Sequence, residues 1–241
     1  MNDIDGGVGR LKGMRKGDAR RRAILDVAER LFYEKGYEHT SVQDVLDAMS
    51  MSKGGFYHHF ESKISLLEAI CEQRAETTCG QCEKIVDECD GSAVEKLNLL
   101  FERGFFFGQD SMDFIGLMVR MIYREGCAQL KDTLQRSQVR LYLPLMKRII
   151  REGAAEQLFY TPNADAMARI LLLMNNCMTD EVASVIAHAD DGEVAMQILD
   201  LIGAYRRSIE LLLNAPYGSV QLMELEKALS VIRSTQLGMA S

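Results

Sequence analysis

The chain has 241 residues, 47% of them apolar and 26% charged, as expected of a globular protein with a sizeable buried core. A formal net charge of −7 excludes a uniformly basic coat, and six cysteines in a chain of this length suit reduced thiols better than a disulfide framework. No apolar run approaches the ~20 residues of a membrane span and the start lacks a signal-peptide core, so a cytoplasmic location and no membrane partner are expected.

Residues 10–22 carry Arg10, Lys12, Arg15, Lys16, Arg20, Arg21 and Arg22 against the single anion Asp18. Residues 1–60 hold 10 cations and 9 anions, so residues 61–241 carry a net −8. A basic arm on a near-neutral head, followed by an acidic body, suits local contact with phosphate. The arm, residues 1–17, is also glycine-rich, and a solvated leader would look the same.

Helical periodicity dominates, and no alternating strand pattern appears. A first helix is predicted over about 18–35, with Ala23, Ile24, Val27, Ala28, Leu31 and Phe32 inward and Gly36 as its stop. Thr40-Ser41-Val42-Gln43 reads as a capping box opening a short helix that turns Val42, Val45, Leu46 and Met49 inward. A break at Ser50 precedes another short helix with Phe56 and Phe60 as its apolar face. Ser62 then caps a long fourth helix towards Cys89. Further helices are predicted near 92–108, 112–125, 128–153, 163–189, 193–214 and 219–236. The expected fold is therefore all-α, with about nine or ten helices: an arm at 1–17, a three-helix head at 18–64, and a helical body at 65–241. Residues 170–174 and 209–213 are apolar around most of the helix, which implies burial on more than one side. Deep core and a helix–helix dimer seam across 163–189 and 193–214 both satisfy that pattern.

Two short helices separated by a tight turn after a longer one suit a helix-turn-helix, whose second member enters the major groove of DNA. Here that member begins Ser52-Lys53-Gly54-Gly55-Phe56-Tyr57-His58-His59-Phe60. Two glycines near the start of a helix cost roughly 1 kcal/mol each relative to alanine. A purely structural helix gains nothing in return, whereas bare backbone beside Lys53 can approach a base edge or a phosphate. Tyr57, His58 and His59 add hydrogen-bonding groups at the same end.

The run from 18 to 70 resembles the TetR family of transcriptional regulators. The resemblance is carried by Ala23-Ile24-Leu25, Ala28-Glu29-Arg30-Leu31-Phe32, Lys35-Gly36-Tyr37, Thr40-Ser41-Val42, the segment Met51 to Phe60, Ser62-Lys63 and Leu66-Leu67. It implies a DNA-binding head followed by a divergent helical body for effector binding and dimerisation; beyond about residue 75 it is architectural. It further implies that Thr40 and Ser41 hold phosphate at the second helix. Ser52, Lys53, Gly54 and Gly55 would face the groove. Tyr57, His58 and Lys63 would contact phosphate, with Arg20 and Arg21 along the adjacent backbone. Partners follow: double-stranded operator DNA, a second copy of the chain and a small apolar or amphipathic effector. Repression is the commoner sense of regulation this implies. One departure is Ser50, where the family usually places glycine; serine adopts a left-handed conformation less freely.

Cys71, Cys79, Cys82 and Cys89 fall within about an 80° arc of one helix face. They could line a core, form a redox switch through the Cys79–Cys82 pair, or bind a metal. Cys71 and Cys79 lie ~12 Å apart along a helix, too far to share one zinc. In the body, Phe105, Phe106, Met118, Met121, Tyr142, Met146 and Met174 suit either ordinary core or the adaptable wall of an effector pocket. No nucleophile–base–acid set, phosphate loop or cofactor motif emerges, so neither an enzyme nor a cofactor is expected. A helical scaffold without DNA binding would leave the glycine pair unexplained.

Overall fold

The structure is a computed structural model that describes residues 16–104, 128–188 and 194–222, together with Gly116, Met118, Val119, Met121 and Ile122. Among these, every regular element is helical. Eight helices have both ends described: α1 Lys16–Lys35, α2 Val42–Met49, α3 Lys53–Tyr57, α4 Lys63–Asp87, α5 Ala93–Gly104, α6 Ala128–Ala155, α7 Ala164–His188 and α8 Val194–Leu213. The helices expected near 112–125 and 219–236 fall largely outside the described residues, as do Phe105 and Phe106; residues 219–222 are not helical. The chain divides into two compact units, one through Cys71 and one from Glu72.

In the first unit the core is built by Ile24, Leu25, Ala28, Leu31 and Phe32 of α1, Val45 and Leu46 of α2, Phe56 of α3, Phe60, and Leu66, Leu67 and Ile70 of α4. The expected stripe on α1 is shifted slightly: Leu25 is buried, while Ala23 and Val27 are only half-buried. Gly36 ends α1 at φ +82°, in the left-handed region that favours glycine. Ser62 caps α4 reciprocally with Ser65: the Ser65 N–H donates to Ser62 Oγ at 3.1 Å, and the Ser62 N–H to Ser65 Oγ at 3.0 Å.

In the second unit α7 packs most extensively on α6, then on α8, while α5 packs on α6. Leu97, Leu100 and Phe101 of α5, Leu145, Met146, Ile149 and Ile150 of α6, Leu171, Leu172 and Val182 of α7, and Ile198, Ile209 and Leu213 of α8 belong to one core. One buried charge fastens the segment after α8. Glu210 is fully buried, and its carboxylate accepts the Gly218 N–H at 2.8 Å and the Val220 N–H at 3.4 Å, with Arg207 Nη1 at 3.3 Å. Asn98 of α5 grips the same segment, donating to the Ser219 carbonyl and accepting the Gln221 N–H, both at 2.9 Å.

Against the sequence expectation, one helix is long and apolar enough to cross a membrane by length and composition: Ala164–Ala187, with a mean hydropathy of 1.3. Half of that stretch is buried inside the protein, and the buried face carries Asn175 and Asn176 as well as Leu171 and Leu172. Its apolarity is that of a core helix, because it has neighbours to bury against.

Candidate nucleic-acid interface and body cleft

The local chemistry of α2 fixes the entry to the helix-turn-helix. Its N-cap is Ser41, not Thr40, and the capping box closes with Asp44. Ser41 Oγ accepts the Asp44 N–H at 3.1 Å while the Ser41 N–H donates to Asp44 Oδ2 at 2.8 Å. Lys35 Nζ reaches the same carboxylate at 2.6 Å. The Lys35 hydrogen bond first, then those from Ser41, hold the Asp44 carboxyl well below the usual aspartate range. Because its folded value is depressed, the stabilisation it contributes is present above the ordinary aspartate value of 3.8 and is lost as pH falls further.

Thr40, expected at phosphate, is instead 1% exposed, and its hydroxyl donates to the Gly36 carbonyl at 2.7 Å. A buried, committed hydroxyl closes the turn between α1 and α2 and leaves Ser41 as the exposed hydroxyl at that end. The expectation was one residue out of register, because Thr and Ser in succession both fit a capping pattern.

Ser50 occupies the left-handed region at φ 48°, ψ 46°, with its N–H donating to the Asp47 carbonyl at 3.2 Å. Nothing in the turn requires a serine side chain there, and the position is exposed. Ser50→Gly should therefore stabilise the protein by about 1 kcal/mol, read as a raised denaturation midpoint. A lower midpoint would mean that the hydroxyl has a role in the turn.

The recognition segment follows at once. Ser52 caps α3, accepting the Gly55 N–H at 3.2 Å. Phe56 is fully buried and Phe60 3% exposed; their ring centroids lie 5.9 Å apart. These two anchors turn the rest of α3 outward. Ser52, Lys53, Gly54, Tyr57 and His58 are all exposed, whereas Gly55 and His59 are half-buried. A Cβ added at Gly54 would meet nothing within 4 Å. One at Gly55 would touch Met51 Cε and Ser52 Oγ at 3.4 Å, an ordinary contact. The protein's own packing therefore demands glycine at neither position.

The flanking cations are placed differently from one another. The Arg21 guanidinium lies 5.0 Å from the centre of the Phe60 ring, which ties it to the end of the recognition segment, and Arg20 is exposed on α1. Lys63 is half-buried; its ammonium donates to the Tyr37 carbonyl at 2.9 Å and sits 4.1 Å over the Tyr37 ring. It thus fastens the start of α4 to the segment after α1, a structural task the sequence did not announce. An ammonium has three protons, so this bond leaves donors to spare.

Cys71, the last residue of the first unit, is buried. In the second unit Cys79 and Cys82 of α4 sit in the core, and Cys89, just after α4, is half-buried. The Cys79 thiol donates to the Leu141 carbonyl at 3.4 Å. Burial, with Glu83 adding to it, pushes Cys79 up to about 11. Burial pushes Cys82 further, to about 12. Thiolate, the reactive form, is a vanishing fraction near neutral pH at such values.

Of the residues expected to wall an effector pocket, Met118, Met121, Tyr142 and Met146 are buried in the core, and Met174 is half-buried against it. A half-open cleft of about 40 Å³ lies elsewhere, between α6 and α7. Val119, Ile122, Leu134 and Ala183 supply its apolar wall, and Gln135, Gln138, Asn176 and Thr179 its uncharged polar groups. Lys131 and Asp180 complete the lining and face each other at 2.6 Å. The sequence signal for this site is Asn176 and Thr179 on α7 together with Gln135 and Gln138 on α6.

The apolar segments 170–174 and 209–213 prove to be two-sided. Leu171, Leu172, Ile209 and Leu213 are buried, while Ile170, Leu173, Leu211 and Leu212 are 42%, 49%, 63% and 40% exposed. Met196 and Leu199 of α8 are exposed as well.

Comparison with known proteins agrees with this architecture. Residues 24–70 match the family described as bacterial regulatory proteins, tetR family. The HTH-type transcriptional repressor KstR2 of Mycolicibacterium smegmatis is 25% identical over 144 residues, which are 56% of this chain and 67% of that protein. KstR2 of Rhodococcus jostii is 39% identical over 67 residues, 28% of this chain and only 33% of that one. Among solved structures, a TetR-family transcriptional regulator from Pectobacterium atrosepticum aligns with a TM-score of 0.55 at 21% identity, over 83% of this chain and 97% of that chain. The fatty acid degradation regulator FadR from Bacillus halodurans aligns with a TM-score of 0.53 at 20% identity, over 86% and 99%. At these identities the structural likeness speaks for the fold. The head of this chain is therefore a tetR-type helix-turn-helix, carried on a body whose fold is like that of these regulators.

Proposed function

We propose that the protein is a cytoplasmic repressor that binds a palindromic operator as a homodimer and is released by a small effector held in the body cleft. The observation that carries the DNA reading is the open space at Gly54. A glycine kept on the exposed side of a five-residue helix, between Lys53 and Tyr57, has no internal reason and suits a backbone that must lie against another surface. In this reading Ser52, Lys53 and the Gly54–Gly55 backbone face the major groove. Ser41, Tyr57, His58, Arg20, Arg21 and the spare protons of Lys63 lie at phosphates.

The second copy of the chain would cover the exposed apolar residues of α7 and α8, and would set two recognition helices about one DNA turn, ~34 Å, apart. An effector that favours a dimer with the wrong spacing would then lower operator affinity. Repression is favoured by the names of the KstR2 relatives, both transcriptional repressors. A redox role for Cys79 and Cys82 is disfavoured by their burial and raised thiol values.

Operator affinity measured against salt concentration tests the interface. With about six phosphates neutralised per dimer, log K should fall with log salt at a slope of about −5. Tyr57→Ala should weaken binding at every salt concentration while leaving the melting temperature unchanged. A flat salt dependence, or full affinity in that variant, would overturn the assigned surface.

A further inference from the structure

We propose that Lys35, the last residue of α1, donates to a DNA phosphate at the entrance to the helix-turn-helix; this rests on the DNA reading above and adds a contact that the sequence pattern does not assign. A phosphodiester oxygen only accepts hydrogen bonds, so whatever meets it must hold a free donor. Thr40 holds none. It is 1% exposed, and its hydroxyl is directed at the carbonyls of Gly36, at 2.7 Å, and Leu31, at 3.2 Å. Ser41 is exposed but equally committed. Its N–H donates to Asp44 Oδ2 at 2.8 Å, its hydroxyl proton goes to the same oxygen, and the hydroxyl oxygen accepts the Asp44 N–H. While this capping box stands, Ser41 lies at the phosphate as the frame of the contact and not as its donor.

Lys35 supplies what the two hydroxyls lack. Its Nζ lies 2.6 Å from Asp44 Oδ1, and the ammonium is the more open half of the pair, with 47% of the Lys35 side chain exposed against 28% for Asp44. An ammonium has three protons, so the bond to Asp44 leaves two for a phosphate. The same bond holds a long side chain in one place, so less freedom is lost when DNA arrives. The carboxylate itself accepts from Lys35 and twice from Ser41, which draws its charge towards the protein and away from an incoming anion.

Lys63 is fixed in a similar way at the same turn. Tyr37, two residues after Lys35, holds the Lys63 ammonium through its carbonyl at 2.9 Å and its ring at 4.1 Å. The turn after α1 thus carries two anchored ammonium groups with protons to spare, and together they outweigh the single charge of Asp44.

Operator titrations against salt, with the full chain and four variants, test this. Lys35→Met should weaken binding roughly tenfold and reduce the salt slope from about −5 to about −3.5, because each dimer then neutralises two phosphates fewer. Lys35→Arg should keep both values. Asp44→Asn should bind at least as tightly as wild type, since it takes an anion from beside the phosphate and leaves the cation. Lys35→Met/Asp44→Asn should remain as weak as Lys35→Met. Acetylation of the wild-type chain by acetic anhydride, read by mass spectrometry, tests the contact without any substitution. Lys35 should lose most of its reactivity when operator is bound, while Lys84, exposed in the second unit, should react equally with and without DNA.

A double variant that regains wild-type affinity would reduce Lys35 to a counter-charge for Asp44 and overturn the proposal. An unchanged salt slope in Lys35→Met, or undiminished acetylation of Lys35 in the complex, would do the same. So would an Asp44→Asn variant as weak as Lys35→Met, since the pair would then act only by holding the turn. A wild-type chain without salt-dependent operator binding overturns the DNA reading itself, which keeps the two failures apart.

Discussion

Gly54→Ala should produce a protein that is more stable and binds DNA less well. The methyl group would meet nothing within 4 Å, and the backbone at this position is not in the left-handed region, so the folded state accepts alanine without strain. Relief of the glycine penalty in a helix should add about 1 kcal/mol to stability. On the proposed surface, the same methyl would hold the backbone away from the groove and disturb the contacts of Lys53 beside it. Loss of one good base contact costs about 1–3 kcal/mol, so operator affinity should fall by roughly tenfold or more. Gly80→Ala provides the control. It lies in α4, a Cβ there also meets nothing within 4 Å, and it should gain similar stability with operator affinity unchanged. Thermal melts and operator titrations of the two variants settle the matter; equal DNA affinity in both would remove the functional reason for Gly54.

The second large effect is expected at the apolar face of α7 and α8. Leu173→Glu and Leu211→Glu place charges where the side chains are 49% and 63% exposed in the single chain, so neither should unfold it. If a second copy covers this face, each variant buries a charge that has no partner, and the dimer should fail. Light scattering should then give 27.1 kDa instead of twice that mass. Loss of the second head turns a two-point attachment to the palindrome into a single one, and operator affinity should drop by roughly 10²–10⁴-fold. A variant that remains dimeric at micromolar concentration would move the seam to another surface. A wild-type protein that is monomeric while binding operator tightly would remove the need for a seam at all.

The contrast between head and body shows what the sequence made legible. In the head, function and fold depend on local rules. Gly36 ends α1 in the left-handed region, Ser62 caps α4, and Phe56 and Phe60 anchor the recognition segment, all as the residue pattern alone implies. Even the error there was local, a one-residue shift of the N-cap from Thr40 to Ser41. The task of Lys63 was hidden because its partner is the carbonyl of Tyr37, and backbone groups leave no trace in side-chain patterns. In the body, Met118, Met121, Tyr142 and Met146 have the composition of an adaptable wall and are buried, Tyr142 and Met146 in the main core cluster. The cleft depends instead on which faces α6 and α7 turn towards each other, a tertiary fact that periodicity does not encode. Its clues, Asn176 with Thr179 and Gln135 with Gln138, are amides and a hydroxyl that an apolar search passes over. The segments 170–174 and 209–213 had both meanings at once, core on one side and exposed apolar surface on the other.

The buried carboxylate of Glu210 places a limit on how this protein can be redesigned. The segment from Gly218 to Gln221 resembles a dispensable strap once α8 has ended, an inviting point at which to shorten the chain or fuse a reporter. Yet its N–H groups at Gly218 and Val220 solvate an anion that water does not reach. A truncation before Gly218 would strand that charge with Arg207 as its remaining hydrogen-bond partner, so the damage would appear in the core around Ile209 and Leu213. Shortening the chain there is better paired with Glu210→Gln, which removes the charge the strap neutralises.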